Sequence, residues 1–411
     1  MKNLSFLLFP VMILFLLSCD KGDDTAETYQ VAVPVTLSVA DFRASVRLEE
    51  PKEIEQSGKI YVYEDFIFIN DNMKGILVVD NSNYHPEKIK YINIPQNTDI
   101  AIKGNVLYAN SGRDLVTFDI SDIHDIEILE RLENVFHDHL YPELPASAAY
   151  LDFKNYNYEK EVIVGYTLET REKTNEELGW INEDIAFNSA GDGTNSGTGG
   201  SMARFNIGGD FLYTVGKSDL QVFDISNLSN PQKLNSHYVG WQIETIFNKE
   251  GYLYLGSAAG MFIYSLEDPA APAYMSEITH VLGCDPVVVA NDIAYVTIRG
   301  GNLCGQNLNQ LEVIDVSDKT NPQLLQVYEM DGPYGLGVRE NKLFVCDGSS
   351  GLKIYDATNT PTLVLEDHFP DVNAYDVIPT ENVLVLIGEN ILRQYSYKNN
   401  EINLISSYDL N

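Results

Sequence analysis

The chain has 411 residues, with 60 Asp and Glu against 27 Lys and Arg and a formal charge of −33. A field of that sign repels phosphate backbones and anionic lipid headgroups, which argues against nucleic-acid ligands and electrostatic membrane docking. Hydrophobic residues at 44% and aromatic residues at 11%, including 25 Tyr, are enough to bury one large core.

The N-terminus reads as an export signal. Met1-Lys2-Asn3 is a short basic stretch, Leu4 to Leu17 is apolar, and Leu16-Leu17-Ser18-Cys19 closes it. The apolar run is too short for a transmembrane helix, and the small residue before its end marks a cleavage site, so residues 1–18 are predicted to be a signal peptide. A Cys directly after Leu-x-Ser resembles the bacterial lipobox, whose thiol is diacylated and becomes the new N-terminus. Buried acyl chains contribute about 0.8 kcal/mol per CH₂, so Cys19 would anchor the protein to a membrane through lipid alone. Residues 19–50 are predicted to form the acylated Cys and a polar tether that opens on Asp20-Lys21-Gly22-Asp23-Asp24.

Residues 51–411 carry one short apolar phrase seven times: GILVVD ending at Asp80, DLVTFD at Asp119, DLQVFD at Asp224, GMFIYS at Ser265, QLEVID at Asp315, GLKIYD at Asp356 and ILRQYS at Ser396. These endings are 39, 105, 41, 50, 41 and 40 residues apart, and the long step is one period plus an insertion at about 135–200. A period of about 40 with several strands per unit is the pattern of β-propeller blades. Each copy contains four runs rich in Val, Ile, Leu, Phe and Tyr, broken by Gly-Asp, Asn-Lys or Ser-Asn-Pro, and none shows a sustained helical period. The prediction is an all-β propeller of seven four-stranded blades. The Asp closing the phrase is assigned to turn chemistry, its side chain accepting from a backbone N–H two residues on.

These phrases, with Ser229-Asn230-Pro231 and Thr320-Asn321-Pro322 behind two of them and stretches such as Gly200-Ser-Met-Ala-Arg-Phe205 and Pro333-Tyr-Gly-Leu-Gly-Val338, resemble the LVIVD-repeat lipoproteins of Bacteroidetes-type bacteria. The resemblance spans the mature chain from about Lys59. It implies the propeller and little about activity. In such lipoproteins an acidic stretch after the acylated Cys resembles a signal for export to the outer leaflet, which places the protein on the outer membrane, exposed at the cell surface.

The insertion holds His137-Asp138-His139, a predicted strand from Glu161 (EVIVGYTLE) and a Gly-rich end. That end lacks the Lys-Ser/Thr of a phosphate loop and the ligand spacing of a calcium loop. His137 and His139 are two imidazoles in search of a third metal ligand, which leaves the metal question open.

Aligning the blades places Lys59, Asp99, Arg204, Glu244, Asp285, Gly335 and Asp376 at the starts of the inner strands, as a ring around one mouth of the central channel. Such a ring either binds a charged or polar ligand or closes on itself as a salt-bridge network. Among the cysteines, Cys284 and Cys304 fall at the same end of the fifth blade and are predicted to form a disulfide, while Cys346 reads as a buried apolar residue. No Gly-x-Ser-x-Gly, His-Glu-x-x-His or Cys-x-x-Cys motif occurs, and no cofactor is implied. The reading is a binding module for a surface protein or a glycan; the alternative is a propeller hydrolase or lyase working at the channel mouth.

Overall fold

Every repeated phrase becomes the third strand of an antiparallel sheet. The computed structural model describes residues 28–172, 201–279, 286–300, 308–397 and 401–410. Within them, seven sheets follow one another in chain order, and in each the strands run from inside to outside in sequence order. The first blade is Ser57–Tyr63, Phe66–Asp71, Gly75–Asp80 and Glu87–Asn93; the last is Ala374–Pro379, Val383–Gly388, Ile391–Ser396 and Asn403–Asp409. The predicted seven-bladed propeller is thus the observed fold.

Local chemistry explains the repeat. Asp80, Asp119, Asp224, Asp315 and Asp356 each accept, at 2.8–2.9 Å, from the backbone N–H two residues on, at Ser82, Ser121, Ser226, Ser317 and Thr358. Hydrogen bonds from these Ser and Thr partners hold all five carboxyls below their ordinary pKa. The turn into the outer strand is therefore written into each phrase. The Tyr in the middle of several second strands has a similar local reason. Tyr108, Tyr213 and Tyr295 send their hydroxyls to Leu228 O, Pro269 O and Thr360 Oγ1 of the next blade at 2.8–3.1 Å. These three tyrosines are thus core residues that join blades.

The apolar core divides into seven clusters, one at each blade–blade contact. The first and last blades share one of them, in which Ile60, Ile67 and Leu77 meet Val385, Ile387 and Leu392. Among the described residues no strand is exchanged across that junction. The ring closes by packing, helped by Ser57 Oγ donating to Gly388 O at 3.0 Å and by the paired amides of Asn81 and Gln394.

The propeller has two unlike faces. One, the mouth face, carries the starts of the inner strands and the turns between second and third strands. The other, the rear face, carries the turns between first and second and between third and fourth strands. An accessory sheet belongs to the mouth face. Thr28–Ser38 pairs antiparallel with Glu161–Glu172 of the insertion and parallel with Tyr150–Leu151. A short helix, Val39–Ala44, follows, and then Arg47–Glu49 adds a fifth strand to the outside of the first blade. Residues 28–49 fall inside the stretch predicted as tether, so that prediction is corrected. Val31, Ala32 and Phe42 are buried, and the strand's backbone partner lies more than 120 residues away, where composition alone does not reveal it.

Candidate functional site

The ring at the mouth is built from the second-strand ladder. Its layer is set by the fifth residue of each second strand, and the partners facing that residue are Asp99, Arg204, Thr245, Pro286, Gly335 and Asp376, with Lys59 preceding Ile60 in the first blade. Glu244 is displaced from the predicted layer. The ladder of the fourth blade pairs Ile243 with Ser257 and Thr245 with Gly256, so Glu244 is the extra residue of a bulge. Its neighbour Thr245, buried, takes the ring position. Asp285, Cys19, Cys284 and Cys304 lie outside the described residues; Cys346 is a free, buried thiol, as its sequence position suggested.

Asp99 is the hub. It is 0% exposed and accepts from Lys59 Nζ at 2.9 Å, from its neighbour Ile100 N at 2.7 Å, from Phe205 N at 2.9 Å and from Arg204 N. One carboxylate thereby ties together the first three blades. The segment leading to it is fixed by buried amides: Asn70 donates to Asn97, Asn97 to Asn110 O, and Asn110 Oδ1 accepts from the N–H groups of Thr98 and Asp99. Lys59 is 4% exposed, and its pKa is pushed down to about 8. Burial is the largest cause, Arg204 acts in the same direction, and Asp99 and Asp376 oppose it. Among the described residues the charged members Lys59, Asp99, Arg204 and Asp376 sum to zero in their ordinary ionised forms.

A plug covers the ring. Ser201, Met202 and Ala203, the described end of the insertion, are all buried. Ser201 Oγ accepts from Leu336 N of the sixth blade at 2.8 Å, and Ala203 O accepts from Ile246 N of the fourth at 2.7 Å. Between these contacts Met202 crosses the mouth. Gly335 makes room for it: a Cβ there would overlap Asp376 Oδ1 and approach Met202 Sδ to 3.1 Å. The alignment found four charged ring members but not the plug, which carries no pattern of its own.

The two histidines of the insertion part ways. His137 Nδ1 lies 3.0 Å from Asp219 Oδ2, whereas His139 stacks on Tyr141 and meets the edge of Tyr158. Burial, followed by the nearby Arg113, pushes the His139 pKa down. No group of three His, Cys, Asp or Glu fit to hold a metal occurs among the described residues. A cleft of about 420 Å³ separates the accessory sheet from the second blade. Arg43 spans it, holding Asp114 with two bonds of 2.8 and 3.1 Å, while Arg131 and Asn134 N bind the same carboxylate.

The larger opening, about 760 Å³, lies on the rear face where the sixth, seventh and first blades meet. Its walls are turns: Arg339–Lys342 of the sixth blade, Glu381 and Asn382 of the seventh, and Asn83–His85 of the first, with Tyr397 and Glu401 beside them. The first-blade turn departs from the repeat. Seven positions separate Asp80 from Glu87, as they do Ser396 from Asn403 in the seventh blade, but eight separate Asp119 from Glu127, Asp224 from Gln232, Ser265 from Ala273 and Asp315 from Gln323. The shorter turn puts Tyr84 in the left-handed region at φ 60°, unusual for a bulky residue. Its ring is 40% exposed in the groove. The missing residue is visible in the sequence, but the seventh-blade turn shares it.

The LVIVD repeat model matches residues 56–85, 96–125, 199–238 and 286–330. None of the curated proteins matches the chain. Among solved structures, the periplasmic gluconolactonase of Pseudomonas aeruginosa superposes with a TM-score of 0.52 at 10% identity, over 88% of this chain and 96% of that one. The computationally designed Ika8 protein gives 0.51 at 11% identity, over 88% and 90%. A functionally unknown protein from Desulfotomaculum acetoxidans gives 0.50 at 11% identity, over 86% and 95%. At these identities the likeness is one of fold.

Proposed function

We propose that the protein is an exported, lipid-anchored propeller of the outer membrane, exposed at the cell surface, that binds a protein or a glycan with its rear face. The observation that carries this reading is the contrast between a mouth closed by its own charges and a plug, and an open groove on the opposite face. Topology adds support. Nine residues separate Cys19 from Thr28, a reach of at most about 30 Å, and Thr28 begins the accessory sheet of the mouth face. An anchor at Cys19 therefore holds the mouth face toward the membrane and leaves the groove facing outward. The catalytic alternative finds little at the mouth, because Asp99 already accepts four donors and is shielded from solvent.

Anchoring is tested by Cys19→Ser, expected to release the protein from the membrane or to block its processing; unchanged levels of membrane-bound mature variant would refute it. Binding is tested by capture of surface components on the detergent-solubilised mature chain. Capture should survive substitutions in the mouth-face cleft and fall with substitutions in the groove.

A further inference from the structure

Resting on that reading, we infer that the rear groove is a saccharide site and takes a segment of neutral sugar. Its volume of about 760 Å³ is that of a small-ligand cleft. Its described lining leans acidic, with Arg339 and Lys342 against Glu340, Glu381 and Glu401. Arg339 pairs with Glu340 at 3.2 Å and Lys342 with Glu366, while Glu381 and Glu401 face the same space. Among the described residues no positive cluster is left to capture a phosphate, sulfate or uronate, and the overall charge of −33 repels all three. A protein hot spot is also disfavoured, since interfaces are depleted of Lys and Glu, which here supply Lys342, Glu340, Glu381 and Glu401.

What the groove offers instead suits a polyol. The Tyr84 ring is held out by a strained turn and presents an apolar face with a polar tip. Arg339 lies 4.8 Å above the ring of Tyr397, which fixes the plane of its guanidinium. Planar donors and acceptors on Arg339, Asn382 and Glu381 match adjacent hydroxyls, which both donate and accept.

The test is calorimetric titration of the detergent-solubilised mature chain with neutral hexose and N-acetylhexosamine oligosaccharides and, separately, with sulfated and uronate-containing ones. Tyr84→Ala and Arg339→Ala are compared with Trp241→Ala, which removes an exposed aromatic residue (65% exposed) from the mouth face. A neutral oligosaccharide should bind, and Tyr84→Ala should weaken it about tenfold while Trp241→Ala leaves it within about twofold. Matching melting temperatures of the variants exclude unfolding as the cause. Binding of the anionic panel alone, or loss with Trp241→Ala and not with Tyr84→Ala, overturns the inference. If no saccharide binds but a protein is captured in a Tyr84-dependent way, the ligand class is wrong and the binding-module reading stands. If neither binds, both fall.

Discussion

The two faces of this propeller use charged side chains in opposite ways. At the mouth, Lys59 donates to Asp99, which also accepts from backbone N–H groups, and both are shut away from water. At the rear groove, Arg339, Lys342, Glu381 and Glu401 stay at the surface around an open space, and the backbone rather than the side chains carries the irregularity, at Tyr84. Buried charge of the first kind is costly to disturb and has no capacity left for a ligand. Exposed charge of the second kind contributes little to stability and remains available. The difference separates what holds the fold from what is free to evolve a ligand.

If that division is right, the mouth should dominate stability. Asp99→Ala leaves Lys59 buried without its partner and strips three backbone N–H groups of their acceptor, so it should destabilise the protein by about 3–5 kcal/mol, read from denaturant unfolding. A loss under 1 kcal/mol would mean that water already reaches the ring. Gly335→Ala is expected to cost about 1–3 kcal/mol by forcing its Cβ against Asp376 and Met202, and to lower the melting temperature accordingly. No change there would show that the plug yields easily.

A subtler test is pH. Lys59 keeps its proton to about 10.5 in the unfolded chain but only to about 8 in the fold, because burial penalises the charge. Between those values the unfolded state binds more protons than the folded one, so stability must rise with pH. Relative to Lys59→Met, the wild type should be flat below pH 8 and gain stability from pH 8 to 10.5. A falling difference over that window would mean that the ion pair with Asp99 outweighs burial.

Legibility in the sequence followed the range of the interactions. The blade count and the turn-forming Asp residues were readable because each depends on neighbours a few positions away, whereas the Tyr hydroxyls that join blades reach partners 56 to 120 residues on. Asp99, Arg204, Gly335 and Asp376 were placed correctly because strand alternation carries the register, whereas the bulge at Glu244 adds one residue and shifts the count. The pairing of Thr28–Ser38 with Glu161–Glu172, and the bonds of Ser201 and Ala203 across the mouth, join distant segments without any periodic mark. The groove was hidden for a related reason: three blades supply it, and a turn one residue short in a single blade does not tell what the three enclose together.

The most direct test is thiol accessibility in the folded protein. Met202→Cys and Asn382→Cys place single new thiols in the plug and in the groove, with labelling of the wild type subtracted as background. The account predicts rapid labelling at position 382 and, at position 202, labelling only as fast as global unfolding, because Met202 is 5% exposed beneath the mouth. Rapid labelling at position 202 in a variant that unfolds as cooperatively as wild type would show the mouth to be open and would contradict the division between the two faces.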